Sequence, residues 1–160
     1  MNRKIFIPLF VFFSLLLIAA CTNAEYNTQS DFVFDEQEFD FNTIKQSAGS
    51  VSHDFPFTYR GDFDVIVSGT PTSCACTSAK ISAEKFRPGD RGILTVEFDP
   101  NLHAEPEGKF FKTASILTEP KLADTPEVKI WVEIDLDLGP EAFKLQADNH
   151  DDDEDDHDDN

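Results

Sequence analysis

The chain has 160 residues, with 13 Lys and Arg against 31 Asp and Glu, for a formal net charge of −18. A surface of that sign repels phosphodiester backbones, so nucleic acid is excluded as a partner. Three cysteines are too few to build a disulfide scaffold, and sixteen phenylalanines point instead to a core filled by rings.

The N-terminus reads Met1-Asn2-Arg3-Lys4, then an apolar run from Ile5 to Ala20 broken only by Pro8 and Ser14, then Cys21-Thr22-Asn23. A basic start, a hydrophobic stretch and small residues at its end make a secretory signal. The run is shorter than the ~20 residues a permanent span needs to cross ~30 Å of hydrocarbon. Leu17-Ile18-Ala19-Ala20-Cys21 resembles the lipobox of bacterial lipoproteins, which implies cleavage before Cys21 and lipidation of its thiol. Each buried methylene of an acyl chain adds ~0.8 kcal/mol, and stable anchoring takes more than one chain. The expected division is a signal peptide over 1–20, a polar tether over 21–30, one folded domain over 31–147 and an Asp/His-rich tail over 148–160. The tail carries no apolar residue and is expected to be disordered. Without Arg3, Lys4 and the tail's nine acids, the folded part keeps a charge of about −11.

The middle of the chain has period two. Phe32-Val33-Phe34 and Phe39-Asp40-Phe41 open the series, followed by Val51, His53, Phe55, Phe57 and Tyr59 alternating with polar neighbours. Pro56 lacks an amide donor, which predicts an edge or bulged strand there. Phe63, Val65 and Val67 follow the Arg60-Gly61-Asp62 turn; Leu94, Val96 and Phe98 follow Arg87-Pro88-Gly89-Asp90. A run from Lys109 to Thr118 and the long alternation from Val128 to Leu138 complete the set. About seven strands in this length predict an all-β, immunoglobulin-like antiparallel β-sandwich, with a closed barrel as the structural rival.

Several motifs occur in order: Phe39-Asp40-Phe41 with Ile44 and Gly49, Val51-Ser52-His53-Asp54-Phe55-Pro56-Phe57, Gly61-Asp62 and Ser73-Cys74-Ala75-Cys76-Thr77. Arg87-Pro88-Gly89-Asp90-Arg91-Gly92-Ile93, Val96-Glu97-Phe98-Asp99 and Gly108-Lys109-Phe110-Phe111-Lys112-Thr113 continue the series. Together they resemble the domain-of-unknown-function 1573 family of bacterial envelope proteins over residues 35 to about 120. The resemblance implies an immunoglobulin-like domain and an envelope location, and no activity. The family usually has glycine where this chain has Ala75 and Asn42, and asparagine where it has Tyr59.

Once Cys21 is set aside for lipid, Cys74 and Cys76 remain as a pair in a compartment that permits disulfides. On an extended strand their α-carbons stand ~6.6 Å apart, so a bridge between them requires a kink. Three readings stay open: a thiol-redox pair, soft metal ligands completed by His53 and His103, or two apolar-like side chains beside the core. His53, in line with Val51 and Phe55, is expected on the core-facing side, hydrogen-bonded beneath the sheet. His103 falls in a loop. The tail, with His150 and His157, offers at most weak and unordered divalent-cation binding, and no resident cofactor is expected.

The sequence contains no Gly-x-Ser-x-Gly, no His-Glu-x-x-His and no glycine-rich phosphate loop, so the chain is expected not to be an enzyme. The preferred expectation is a non-catalytic lipoprotein that binds or scaffolds an envelope protein or glycan. It would be anchored to a membrane, by the residue Thr22 the outer one. The alternative is metal handling or thiol redox at Cys74 and Cys76. The geometry that separates them is a third ligand near the pair. Histidines more than ~8 Å from both sulfurs would disfavour a closed site, since zinc ligands lie ~2.0 to 2.3 Å from the ion.

Overall fold

The structure, a computed structural model, describes residues 30–144. The signal peptide, Cys21, all but the last residue of the tether and the acidic tail lie outside the described residues.

Ten strands form among the described residues: β1 Phe32–Phe34, β2 Glu38–Lys45, β3 Val51–Tyr59, β4 Val65–Gly69, β5 Thr77–Ile81, β6 Lys85–Phe86, β7 Arg91–Phe98, β8 Phe110–Ser115, β9 Leu117–Glu119 and β10 Glu127–Asp135. They make a four-stranded sheet β1-β3-β7-β5, a three-stranded sheet β2-β10-β8 and a three-stranded sheet β6-β4-β9. Apolar faces from all three meet in one core, the arrangement of an immunoglobulin-like sandwich. The additional strands are the short ones. β5 alternates Thr77, Ala79 and Ile81, too weakly apolar to stand out in sequence, and β6 has two residues.

The alternation of β3 buries Phe55, Phe57 and Tyr59 completely and sets them opposite Leu94, Gly92 and Asp90 of the β7 side. Burial of each such ring contributes roughly 1.5 to 3 kcal/mol. The rings interlock, with centroids 5.0 Å apart for Phe32 and Phe57, 4.9 Å for Phe32 and Tyr59, and 5.1 Å for Phe57 and Phe86. Gly92 is required by this cluster, because a Cβ there would run into the Phe57 and Phe86 rings.

Four expectations are corrected. Pro56 lies in a strand flanked on both sides, between β1 and β7. Its carbonyl accepts the Asp35 amide at 2.9 Å, one residue past the end of β1. In an antiparallel strand a residue's N–H and C=O point the same way, so the missing donor faces the place where β1 has already stopped. Second, the sandwich is not wholly antiparallel: β2 runs parallel to β10, with a bulge between Trp131 and Glu133. Asn42 sits in that bulge at φ 58°, and its amide donates to Asp40 Oδ1 at 2.9 Å. Asparagine tolerates the left-handed region, which explains how it stands where a glycine is the usual choice. Third, the Lys109–Thr118 run is two strands. Ile116, buried, marks the point where the chain leaves the β10 sheet for the β4 sheet. Fourth, β10 stops at Asp135, opposite the end of β2, and a turn closed by Gly139 N–H on Leu136 O leaves Leu136 and Leu138 exposed.

Candidate functional site

Cys74 and Cys76 lie in the turn that leads into β5. The Thr77 amide donates back to the Cys74 carbonyl at 3.1 Å, and the Thr72 hydroxyl donates to the Thr77 carbonyl at 2.8 Å. This turn is the kink a bridge needs. It draws the two α-carbons to 5.2 Å, and the sulfurs form a disulfide. The preceding residues are stitched to β8: Ser73 N–H donates to Thr113 O at 3.0 Å, and Thr113 N–H donates to Ser73 Oγ at 2.9 Å. Cys74 is half-buried; Cys76 is buried at 2 % exposure.

The loop between β7 and β8 closes over this turn. Its start is held by the Asp99 amide donating to Cys76 O at 2.8 Å and by Lys144 Nζ donating to Asp99 Oδ2 at 2.5 Å. Burial opposes ionisation of Asp99, yet the Lys144 ammonium and the Asn101 amide outweigh it and hold its carboxyl below the usual range. From this loop His103 places Nε2 3.2 Å from Cys74 Sγ. Its Nδ1 lies 2.9 Å from the Ala104 carbonyl oxygen. A carbonyl only accepts, so the Nδ1–H donates to Ala104 O and Nε2 is the ring nitrogen turned toward the sulfur. The Cys76 amide donates to the same sulfur at 3.2 Å.

Glu105 completes the cluster. Its side chain is 4 % exposed, with Oε1 3.7 Å from both Cys74 Sγ and His103 Nε2, and Oε2 accepting from Lys112 Nζ at 2.6 Å. Lys112, on β8, lies over the Phe110 ring. One donor atom each from Cys74, Cys76, His103 and Glu105 falls within 4.8 Å of the others.

His53 is held elsewhere. Its ring stacks on Phe39 with centroids 3.5 Å apart, meets Phe41 and Phe55 edge-on, and places Nε2 2.7 Å from Glu36 Oε1. The cluster of donors around the cysteines does not include it. Glu105 and Lys112 were not singled out from sequence. The only signal was the alternation His103-x-Glu105, which in an extended loop puts both side chains on one side.

The profile of the family described as "Protein of unknown function (DUF1573)" matches residues 32–134. The chain belongs to this family. Comparison with curated proteins finds no match. Among solved structures, a protein of unknown function from Porphyromonas gingivalis W83 is similar at 15% identity and TM-score 0.52, over 68% of this chain and 51% of that one. The chain thus spans about half the length of that structure, and the likeness shows the fold alone. The secreted serine protease VesC from Vibrio cholerae aligns at 13% identity and TM-score 0.47, over 66% of this chain and 23% of that one. The YadV chaperone aligns at 11% identity and TM-score 0.46, over 66% and 53%.

Proposed function

We propose that this member of the family is an exported lipoprotein, anchored through Cys21 to the outer membrane, whose working part is a thiol–disulfide centre at Cys74 and Cys76. The observation that carries the reading is His103 Nε2, 3.2 Å from Cys74 Sγ, beside a bridge between residues two apart. Such a placement suits a base for the thiol, and the Cys76 amide suits its thiolate. A disulfide over so short a loop does little for stability, so structural bracing is a weak reason for it.

In the reduced form Cys74, the more accessible sulfur, passes its proton to His103 Nε2 and attacks a partner disulfide. One partner sulfur leaves as a thiolate and takes up a proton. Cys76 then loses its proton and attacks Cys74 Sγ, which expels the second partner sulfur and closes the bridge. Two electrons and two protons pass from the pair to the partner, and the reverse sequence reopens the bridge at the expense of a partner dithiol. This exchange is the alternative set beside the non-catalytic binding module, with an envelope protein as the exchange partner.

The test is thiol labelling of the mature lipidated protein in its membrane, with and without a dithiol reductant. The expected result is two labelled cysteines after reduction and none before, with His103→Ala slowing alkylation of the reduced Cys74 at pH 7 and altering its pH profile. Cysteines unreactive in both states, or a rate indifferent to His103, would sink the reading.

A further inference from the structure

We infer that the opened pair, with His103 and Glu105, is a zinc site, and that closing the bridge excludes the ion. This rests on the pair opening and closing as proposed above. Zinc takes four ligands in a tetrahedron, with bonds of ~2.3 Å to sulfur and ~2.0 to 2.2 Å to nitrogen or oxygen, so its ligand atoms stand ~3.4 to 3.8 Å apart. Three edges already have that scale: 3.2 Å from Cys74 Sγ to His103 Nε2, 3.7 Å from Cys74 Sγ to Glu105 Oε1, and 3.7 Å from His103 Nε2 to Glu105 Oε1. They form one face of the tetrahedron. The fourth corner belongs to Cys76, whose sulfur is covalently tied to Cys74 in the bridged form and too close to it for both to ligate one ion. Reduction, by two electrons and two protons from a dithiol donor, frees Cys76 Sγ to move to the ~3.8 Å that two zinc-bound sulfurs require.

The surroundings fit the same ion. Ala104 O holds the Nδ1 proton of His103, the outer-shell bond that orients a ligating imidazole. Glu105 presents one oxygen to the site while the other is held by Lys112 Nζ, so it offers a single ligand atom. Two thiolates and one carboxylate around a divalent ion leave one negative charge, and Lys112 neutralises it. That balance matters for a carboxylate whose side chain is 4 % exposed. Two thiolates, an imidazole and a carboxylate also suit zinc better than copper(I), which favours sulfur alone, or calcium, which favours oxygen.

The test uses the full mature protein in detergent, reduced by a dithiol and freed of reductant, titrated with Zn2+ against a chromophoric chelator. Co2+ is the spectroscopic stand-in. The Cys74→Ser/Cys76→Ser double variant keeps the acidic tail with His150 and His157, so any tail binding is common to both samples. The expected result is one zinc per chain beyond that variant, no such excess in the bridged protein, and a thiolate-to-cobalt charge-transfer band with tetrahedral d–d bands. His103→Ala and Glu105→Gln should each lower affinity at least ~10-fold, with the folded state of each checked by the bridged protein's near-ultraviolet dichroism. No excess zinc over the double variant, or His103→Ala and Glu105→Gln proteins that bind as the parent does, would overturn the site. Thiol counts on the same samples separate the two proposals: thiols that open but bind no zinc remove this inference alone, and thiols that never open remove both.

Discussion

Reducing the Cys74–Cys76 bridge in the otherwise unaltered protein should cost little stability, because a disulfide stabilises by restricting the unfolded chain and this one restricts a three-residue loop. With a loop entropy of −2.1 − 1.5R ln n cal/mol/K, three residues give about −5.4 cal/mol/K, or about 1.6 kcal/mol at 25 °C, against about 3 kcal/mol for a fifteen-residue loop. A folded part of about 110 residues unfolds with roughly 0.23 kcal/mol/K of entropy, so the bridge should move Tm by about 7 °C. The assay is urea and thermal unfolding of the mature protein with and without a dithiol reductant, in the presence of a chelator so that no metal stabilises the reduced form. Cooperative unfolding in both states with a loss of at most about 1.6 kcal/mol is the expected outcome. A loss of 3 kcal/mol or more, or a chain that unfolds on reduction at 25 °C, would make the bridge a structural staple and remove the argument that its purpose is chemical.

The Glu105 and Lys112 pair, 4 % and 14 % exposed at the side chain, should behave as a buried ion pair: Lys112→Ala leaves a carboxylate unpaired and is expected to cost about 3 kcal/mol in urea unfolding, with a cost under ~1 kcal/mol contradicting the burial. Gly92→Ala pushes a methyl into the Phe57 and Phe86 rings and should cost about 2 kcal/mol, read from the shift in urea midpoint; no shift would show that the rings have room to move. The Ser47 hydroxyl, then the Ser47 amide, hold the Asp137 carboxyl below the usual range. A depressed folded value contributes stability that is complete above the unfolded value, roughly 3.9, and is lost as pH falls through the folded one. Ser47→Ala should therefore be less stable than the parent at pH 7, and the gap should close below pH ~3.9; a gap constant down to pH 2 would refute this. Cys21→Ser should move the protein from the membrane to the soluble or uncleaved fraction and abolish metabolic acyl labelling, whereas retention of both would show that Cys21 is not the anchor.

Much of the sandwich was legible from local pattern. Phe55, Phe57 and Tyr59, and likewise Leu94, Val96 and Phe98, alternate because each strand has one dry face, and their burial follows from that period alone. Pairing across the molecule was not legible. That β2 lies parallel to β10, that β8 and β9 belong to different sheets, and that Pro56 can sit between two strands all depend on where a partner strand ends.

The sequence by itself determined the family and the presence of two cysteines separated by one residue, because these are properties of residues near one another in the chain. Tertiary structure decided what those cysteines face. Of the two histidines among the described residues, it chose His103 over His53, because the loop after β7 folds back over the turn before β5 while His53 is occupied by Phe39 and Glu36. It also added Glu105, a charge the sequence marks as surface, and made it tenable in a dry place by setting Lys112 of β8 beside it. Convergence of residues about thirty positions apart depends on loop closure and strand pairing, which no local spacing encodes.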